Sequence, residues 1–360
     1  RAPGDSKRGL DHLLPPGLGR QQHIDQALGL PSPFTQQRPM DDDLHVVAEM
    51  MVVFGPRSQV WRERQRGSLR RIMDAMEPIR ASLLPRRSST SVAVAADGDV
   101  AGIASLTAAL PWPGRSQAEG CLNGFKVVGE IESSRILRGV RQPNLTGSYY
   151  GQAAMDEELT QEGISKGFTE PLVTARSLDR RFGPGNRRPI HRFLIRLPDG
   201  KTSLIDDCKR GGQNQWSALA ETIYTIGVDT VPAMVCLLVH RARKHYPDEG
   251  LPEWFHLRLG TDDLPDAFRG CPIHPSQQNA AVVAVWSPKG HTWMFGVMQG
   301  CPYGLESVVV TSIRFPPVIT AAMRRMLGLM AAAYFDDNLL VDFECSARDA
   351  KGLLQQTFAE

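Results

Sequence analysis

The sequence predicts an α+β fold: an antiparallel sheet with helices on one face, preceded by a mainly helical N-terminal region. Three observations predict it. Short alternating apolar–polar segments occur in pairs, each pair joined by turn residues. Helix-period stretches lie between those pairs rather than alternating one for one with strands. Finally, 42% of the 360 residues are hydrophobic and 22% charged, enough for the cores of roughly two domains.

In chain order, residues 1–45 are rich in Pro, Gly and Gln and read as loop or linker. Asp41, Asp42 and Asp43 mark a helix start, with Leu44, Val47 and Met51 opening an apolar stripe. From Arg57 to Arg87, nine Arg face Glu63, Asp74 and Glu77, a local balance of +6. Such a run is either a solvated helical face or an arm facing nucleic acid. Val92–Ala109 is small and apolar, a buried strand or helix, and Arg115–Gly167 gives weak signals.

The second half is more regular. His191–Leu197 alternates and meets Pro198-Asp199-Gly200, which predicts a hairpin carrying basic residues. Ala218–Val239 reads as one long helix kinked or broken at Pro232. Phe255–Thr261 reads as a strand entering Asp262-Asp263. Ala280–Trp286 and Thr292–Val297 form a second hairpin. Leu305–Arg314 reads as a helix stopped at Pro316-Pro317, with a further helix to about Gly328. Met330–Phe335 and Leu339–Phe343 form a third hairpin with Asp336 and Asp337 at its tip. Ser346 with Asp349 reads as a capping box for a last helix.

Composition also excludes. No apolar stretch approaches the roughly 20 residues of a membrane span, so no membrane partner is expected. The six cysteines are scattered without a CxxC pair, which disfavours disulfides and zinc and fits a reducing intracellular compartment, cytoplasmic or nuclear. No signal peptide is evident, and a start at Arg1 rather than Met reads as a fragment or processed segment.

Two acidic pairs end strands, with 73 positions between Asp263 and Asp336. An isolated Asp-Asp pair is usually a solvated turn. Brought side by side, Asp263 and Asp336 suit two divalent ions clamping an in-line phosphoryl displacement. Tyr334-Phe335-Asp336-Asp337 resembles the YxDD signature of reverse transcriptases. Asp263-Leu264-Pro265-Asp266-Ala267-Phe268 resembles that family's first palm motif, and Cys301-Pro302-Tyr303-Gly304 its Leu-Pro-x-Gly turn. Ile205-Asp206-Asp207 with Asn214 is similar to the fingers segment of retroelement enzymes.

The resemblance covers roughly Arg176 to Glu360 and implies a polymerase palm, ferredoxin-like, plus fingers. It divides the chain into 1–165 of unknown role, partly disordered then mainly helical, a fingers-like 166–254, and a palm at 255–360 truncated before the thumb. It implies an RNA-directed DNA polymerase of a retrotransposon-type polyprotein, using an RNA template, a DNA primer and dNTPs with two Mg²⁺ (or Mn²⁺) ions. Asp263, Asp336 and Asp337 become the catalytic carboxylates, with the Leu264 carbonyl completing the metal shell. Phe268 becomes a steric gate against ribonucleotides, with a packing role as its plain counterpart. Tyr303 and Gly304 shape the nucleotide pocket, and Lys201, Lys209 and Arg210 are its triphosphate cations. Arg187, Arg188, Arg192 and Arg196 follow the template backbone.

Three departures qualify the resemblance. Ser203 stands where the family commonly has a basic residue, and Asn338 replaces an aromatic or apolar one. The chain stops 23 residues past Asp337, without counterparts of the later palm lysine, primer grip, thumb, RNase H or integrase, segments that a longer polyprotein would supply. Ser203 and the missing thumb favour an inactive or truncated remnant that binds nucleic acid, while the intact Asp263, Asp336 and Asp337 argue against decay at the metal site. An RNA-dependent RNA polymerase shares the palm, but Phe268 and the Tyr-Phe before the Asp pair weigh against it. Net charge of +2 does not exclude nucleic acid. The stretches 57–87 and 176–210 each carry +6, leaving −10 elsewhere, much of it around 262–266 and 336–344.

Overall fold

Two sheets organise the chain, and the apolar content of their strands on both faces decides how helices cover them. The computed structural model describes residues 40–94, 100–109, 115–129, 153–198, 200, 202–215, 217, 225–248, 250–263 and 266–352. In order, it contains α1 (Asp42–Phe54), α2 (Ser58–Leu83), α3 (Ser89–Val94), α4 (Val100–Ala109), α5 (Arg115–Asn123), α6 (Ala153–Ser165) and α7 (Ala175–Phe182). Then follow β1 (Pro189–Arg196), β2 (Thr202–Asp207), α8 (Cys208–Gly211), α9 (Thr230–His245) and β3 (Leu257–Asp263). The hairpin β4 (Val282–Ser287) and β5 (Thr292–Val297) precedes α10 (Glu306–Ser312), α11 (Phe315–Leu327), β6 (Met330–Tyr334) and β7 (Asp337–Phe343).

The first sheet has the order β2-β1-β4-β5 and is mixed, because β1 and β4 pair in parallel through Pro189↔Val282 and Ile190↔Val283. The second, β3-β7-β6, is antiparallel throughout. The expected single antiparallel sheet is therefore two sheets. β4 is apolar at every position from Val282 to Val285, a continuous run suited to burial on both sides and to parallel pairing. Val283 packs with Cys121 and Val308, while Val282 and Ala284 pack with Leu178 of α7.

Helices also cover the second sheet on both faces rather than one. Met330, Ala332, Val341 and Phe343 pack with Leu44 and Val47 of α1 and with Met234 and Leu238 of α9. Ala331 and Leu340, pointing the other way, pack with Met323 of α11 and Leu69 of α2. Residues 42–83 are thus part of this core, clasping the sheet from both sides. Arg62 and Gln65 of α2 reach into it: Arg62 pairs with Asp342 of β7, and Gln65 donates to the Leu327 carbonyl.

Prolines account for two boundary differences. Pro232 lies in the first turn of α9 rather than inside a longer helix, and residues 218–224 of the expected helix lie outside the described residues. Pro316 and Pro317 open α11 instead of ending α10, since the first turn needs no donated N–H. The last turns of the described chain, 347–352, are helical, but no capping box forms. Ser346 Oγ donates to Asp342, and Asp349 pairs with Arg66. Among the described residues no helix is long and apolar enough to cross a membrane, and all six cysteines are free thiols.

Candidate functional site

The β3–β7 register sets Asp263 directly opposite Asp337, and the β6–β7 register sets Tyr334 opposite Asp337. Paired residues of an antiparallel ladder point to the same face with Cβ atoms about 4.5–5.5 Å apart. Asp336 occupies the two-residue turn next to them, after Phe335, whose φ is 53°. A left-handed conformation costs a bulky residue about 1–2 kcal/mol, and Asp266, on the other flank of the carboxylates, also has positive φ at 52°. Asn338 is 0% exposed beneath the turn and donates to the Asp336 carbonyl at 3.4 Å, so the position that departs from the family pattern supports the hairpin.

Like charges placed opposite one another are destabilising unless a cation offsets them. Among the described residues neither Asp336 nor Asp337 has an ion-pair partner. No group of three or more His, Cys, Asp or Glu closes to metal-ligand geometry among them either. Mg²⁺ needs only one or two protein carboxylates when substrate phosphate oxygens and waters complete its shell. The donor set is all oxygen, as that ion prefers, and the residues fit it.

A cluster of aromatic and charged groups surrounds the buried Asp206. Asp206 at the end of β2 is 0% exposed, yet it pairs with Arg192 at 2.9 Å and Arg269 at 2.6 Å and accepts from the Tyr303 N–H at 3.0 Å. Burial opposes its ionisation, but the two guanidinium groups and this N–H hold its carboxyl below the usual range. Arg269 lies over the Tyr303 ring at 4.9 Å, and Phe268 meets that ring edge-on at 5.4 Å. Burial, then the carboxylates of Asp266, Asp206 and Asp336, push the Tyr303 phenol up against the opposing pull of Arg269, so it stays protonated. Gly304 packs so closely on the Asp206 backbone that a side chain there meets its carbonyl. Asn214 locks this turn by donating to the Gly304 carbonyl at 3.0 Å and accepting from Glu306 N–H at 3.2 Å.

The strand registers bring Asp263 and Asp337 together with Asp336 in the adjoining turn, and Phe268 and Tyr303, with Gly304 next in the chain, form a second group in ring contact. Leu264 and Lys201 lie outside the described residues. The expected template track is corrected at three of four positions. Arg187, Arg188 and Arg192 are buried, pairing with Asp179, the Gly211 carbonyl and Asp206. A guanidinium satisfied inside the fold does not face a template, and Arg196 alone of the four is exposed. Lys209 and Arg210 are exposed on α8 and do not line the cleft described next.

That cleft, about 330 Å³, lies between α6, the β1–β2 hairpin and Tyr303, with Lys166, Arg192 and Arg269 as its cations. Sequence reasoning missed Lys166 and Arg269. Arg269 follows Phe268 directly, a signal within reach, whereas Lys166 sits in a stretch with no motif. The chain matches no known family model and no curated protein.

Proposed function

We propose that this chain carries the fingers and palm of a retroelement reverse transcriptase, adding dNTPs to a primer 3′-hydroxyl on an RNA template. The observation that carries the reading is the register placing Asp263 opposite Asp337 with Asp336 in the adjoining turn. The left-handed backbone at Phe335, unusual for a bulky residue, holds the turn that carries Asp336.

Asp263 and Asp336 are the carboxylates that would hold divalent magnesium, with Asp337 adjacent and less direct. When bound there, the ions supply activation of the 3′-hydroxyl and charge neutralisation at the transferring phosphate and the leaving pyrophosphate. Tyr303, held by Asp206 and Arg269, gives the nucleotide pocket a rigid wall. Phe268 leans edge-on against that wall and presents its ring as a steric gate to a ribose 2′-hydroxyl. The Asn338 side chain beneath the hairpin fixes the turn that carries Asp336.

The second reading is an inactive remnant that binds nucleic acid, favoured by Ser203, which is small and uncharged in the hairpin expected to grip triphosphate. Extension of a labelled DNA primer on an RNA template with Mg²⁺ separates the two. The wild-type chain is compared with Asp336→Ala. Extension that Asp336→Ala abolishes supports the polymerase; a wild type as inactive as that variant refutes it.

A further inference from the structure

We propose that the cavity between α1, α2 and the C-terminal turn of α11 binds an acidic peptide segment, through a carboxylate side chain flanked by apolar residues. The inference stands apart from the polymerase reading. The cavity, of about 280 Å³, takes Val46 and Met50 from α1, Trp61 and Arg64 from α2, and Arg325 and Met326 from α11. Its lining residues recur at helical spacing, Asp43, Val46 and Met50 on α1 and Trp61, Gln65 and Ser68 on α2, so each helix gives it one face. It lies at the far end of the second sheet from the carboxylates. Gly328 lines it just before β6, and the five residues of that strand, about 13 Å, lead to Tyr334 and the Asp336 turn.

The cations at this cavity differ in what already holds them. Arg324 is 9% exposed, donates to the Ala331 carbonyl at 2.7 Å and pairs with Asp41. Arg325 is 48% exposed and pairs with Asp43 at 2.8 Å. Arg64 is exposed and has no ion-pair partner among the described residues. The cavity thus carries three guanidinium groups against the single carboxylate of Asp43, and the planar fork of a guanidinium suits bidentate capture of a carboxylate. Much of the remaining wall is apolar and held in place. Trp61 stacks on Phe54 with ring centroids 4.6 Å apart, and Gln65 beside it donates to the Leu327 carbonyl. The Trp61 indole N–H is buried without an acceptor among the described residues, an unsatisfied donor of the kind a bound acceptor completes.

Charge decides between a peptide and nucleic acid here. Asp41 and Asp42 at the start of α1 and Glu63 on α2 stand exposed on the helices that frame the cavity. A phosphate backbone, charged at every nucleotide, is repelled by them, whereas a single carboxylate can meet Arg64 and Arg325 alone. Arginine clusters are a recurring means of recognising acidic motifs. The apolar neighbours of that carboxylate have a surface as well: Val46 and Val53 are 59% and 45% exposed and share a face of α1 with Met50, so an apolar stripe continues from the cavity. The basic run from Arg57 to Arg87 thereby divides by task. Arg62 and Arg66 hold the fold through Asp342 and Asp349, and Arg64 is left for a partner.

Selection of a displayed library of random short peptides on the immobilised full chain tests the assignment. Wild type is expected to enrich sequences with Asp or Glu between apolar residues, and the best of them, labelled with fluorescein, to bind in polarisation titrations. Arg64→Gln is expected to weaken that peptide about 10-fold or more, the loss of one charge-assisted contact. Replacing the peptide's acid by its amide should cause the same loss on wild type and no further loss on Arg64→Gln. Arg70→Gln, exposed on the same helix outside the cavity, is the matched charge control and should leave affinity unchanged. Binding should also shift the Trp61 indole proton resonance, identified by its absence in Trp61→Phe. A selection that enriches no acidic sequences overturns the inference, as does a selected peptide that binds Arg64→Gln as tightly as wild type. Displacement of the peptide by oligo(U), with the affinity for oligo(U) falling equally in Arg64→Gln, overturns it too and makes this face a nucleic-acid site.

Discussion

Replacing Arg62 with Met should unlatch α2 from the strand that carries Asp337. Arg62 and Asp342 are 3% and 2% exposed and form an ion pair, and Arg62 Nη1 also donates to Gln65 at 2.7 Å. Removing one partner of a buried pair typically costs about 3–5 kcal/mol, because the other charge stays buried alone. Asp342 keeps the Phe343 N–H at 2.7 Å and the Ser346 hydroxyl at 3.0 Å, and Arg62 Nε has no hydrogen-bond partner among the described residues. Both facts place the cost near the lower end, about 3 kcal/mol, a large share of a typical stability of about 5–15 kcal/mol.

The pH dependence has a definite sign. Burial raises the Asp342 carboxyl above its ordinary value even with Arg62 opposing. Without Arg62 it rises further, so the variant is penalised most where the carboxyl must ionise. The unfolded value is common to both chains and cancels, so the stability gap should widen as pH rises through the raised folded-state value of Asp342 in the wild type, and narrow below it. Urea unfolding of wild type, Arg62→Met, Asp342→Leu and the double variant supplies the cycle. We expect a coupling of about 2 kcal/mol or more, with the double variant more stable than either single one. A coupling under about 0.5 kcal/mol, the range of an exposed pair, would refute the latch.

Three further outcomes follow from the site. Gly304→Ala forces a methyl group against the Asp206 backbone carbonyl, and should cost about 1–3 kcal/mol by thermal or urea unfolding; an unchanged midpoint contradicts that packing. Burial in α6 raises the Asp156 carboxyl from 3.8 to about 6. Its protonated form favours the fold, and this contribution is lost as pH rises from about 4 through about 6, roughly 3 kcal/mol in all. Asp156→Asn should flatten that slope in unfolding curves between pH 4 and 7, and an unaltered slope rejects the assignment. Phe268→Ala should relax discrimination against ribonucleotides in primer extension; unchanged selectivity leaves Phe268 a packing residue.

The hairpins were legible because alternation and turn residues are local: His191 to Leu197, Thr292 to Val297 and Met330 to Phe343 all lie where the pattern places them. The carboxylate pair was legible for the same reason, since the turn at Phe335-Asp336 and the strand end at Asp263 are each visible in a few residues. Parallel pairing of β1 with β4 was not, because a continuous apolar run such as Val282–Val285 has no period. Nor was the fate of the arginines. Arg192, Arg269 and Arg62 look like solvated charges until their partners, at distant sequence positions, bury them. Ion pairs have no sequence periodicity, so the buried cluster around Asp206 and the cation at Lys166 emerge only when the chain is folded.

Single-turnover addition of one dNTP to a DNA primer on RNA, titrated with Mg²⁺, tests the central claim most directly. The account predicts Mg²⁺-dependent addition by the wild type and a loss of about 100-fold or more in Asp263→Asn and Asp336→Asn, with a smaller loss in Asp337→Asn. Addition by Asp336→Asn at the wild-type rate would contradict it.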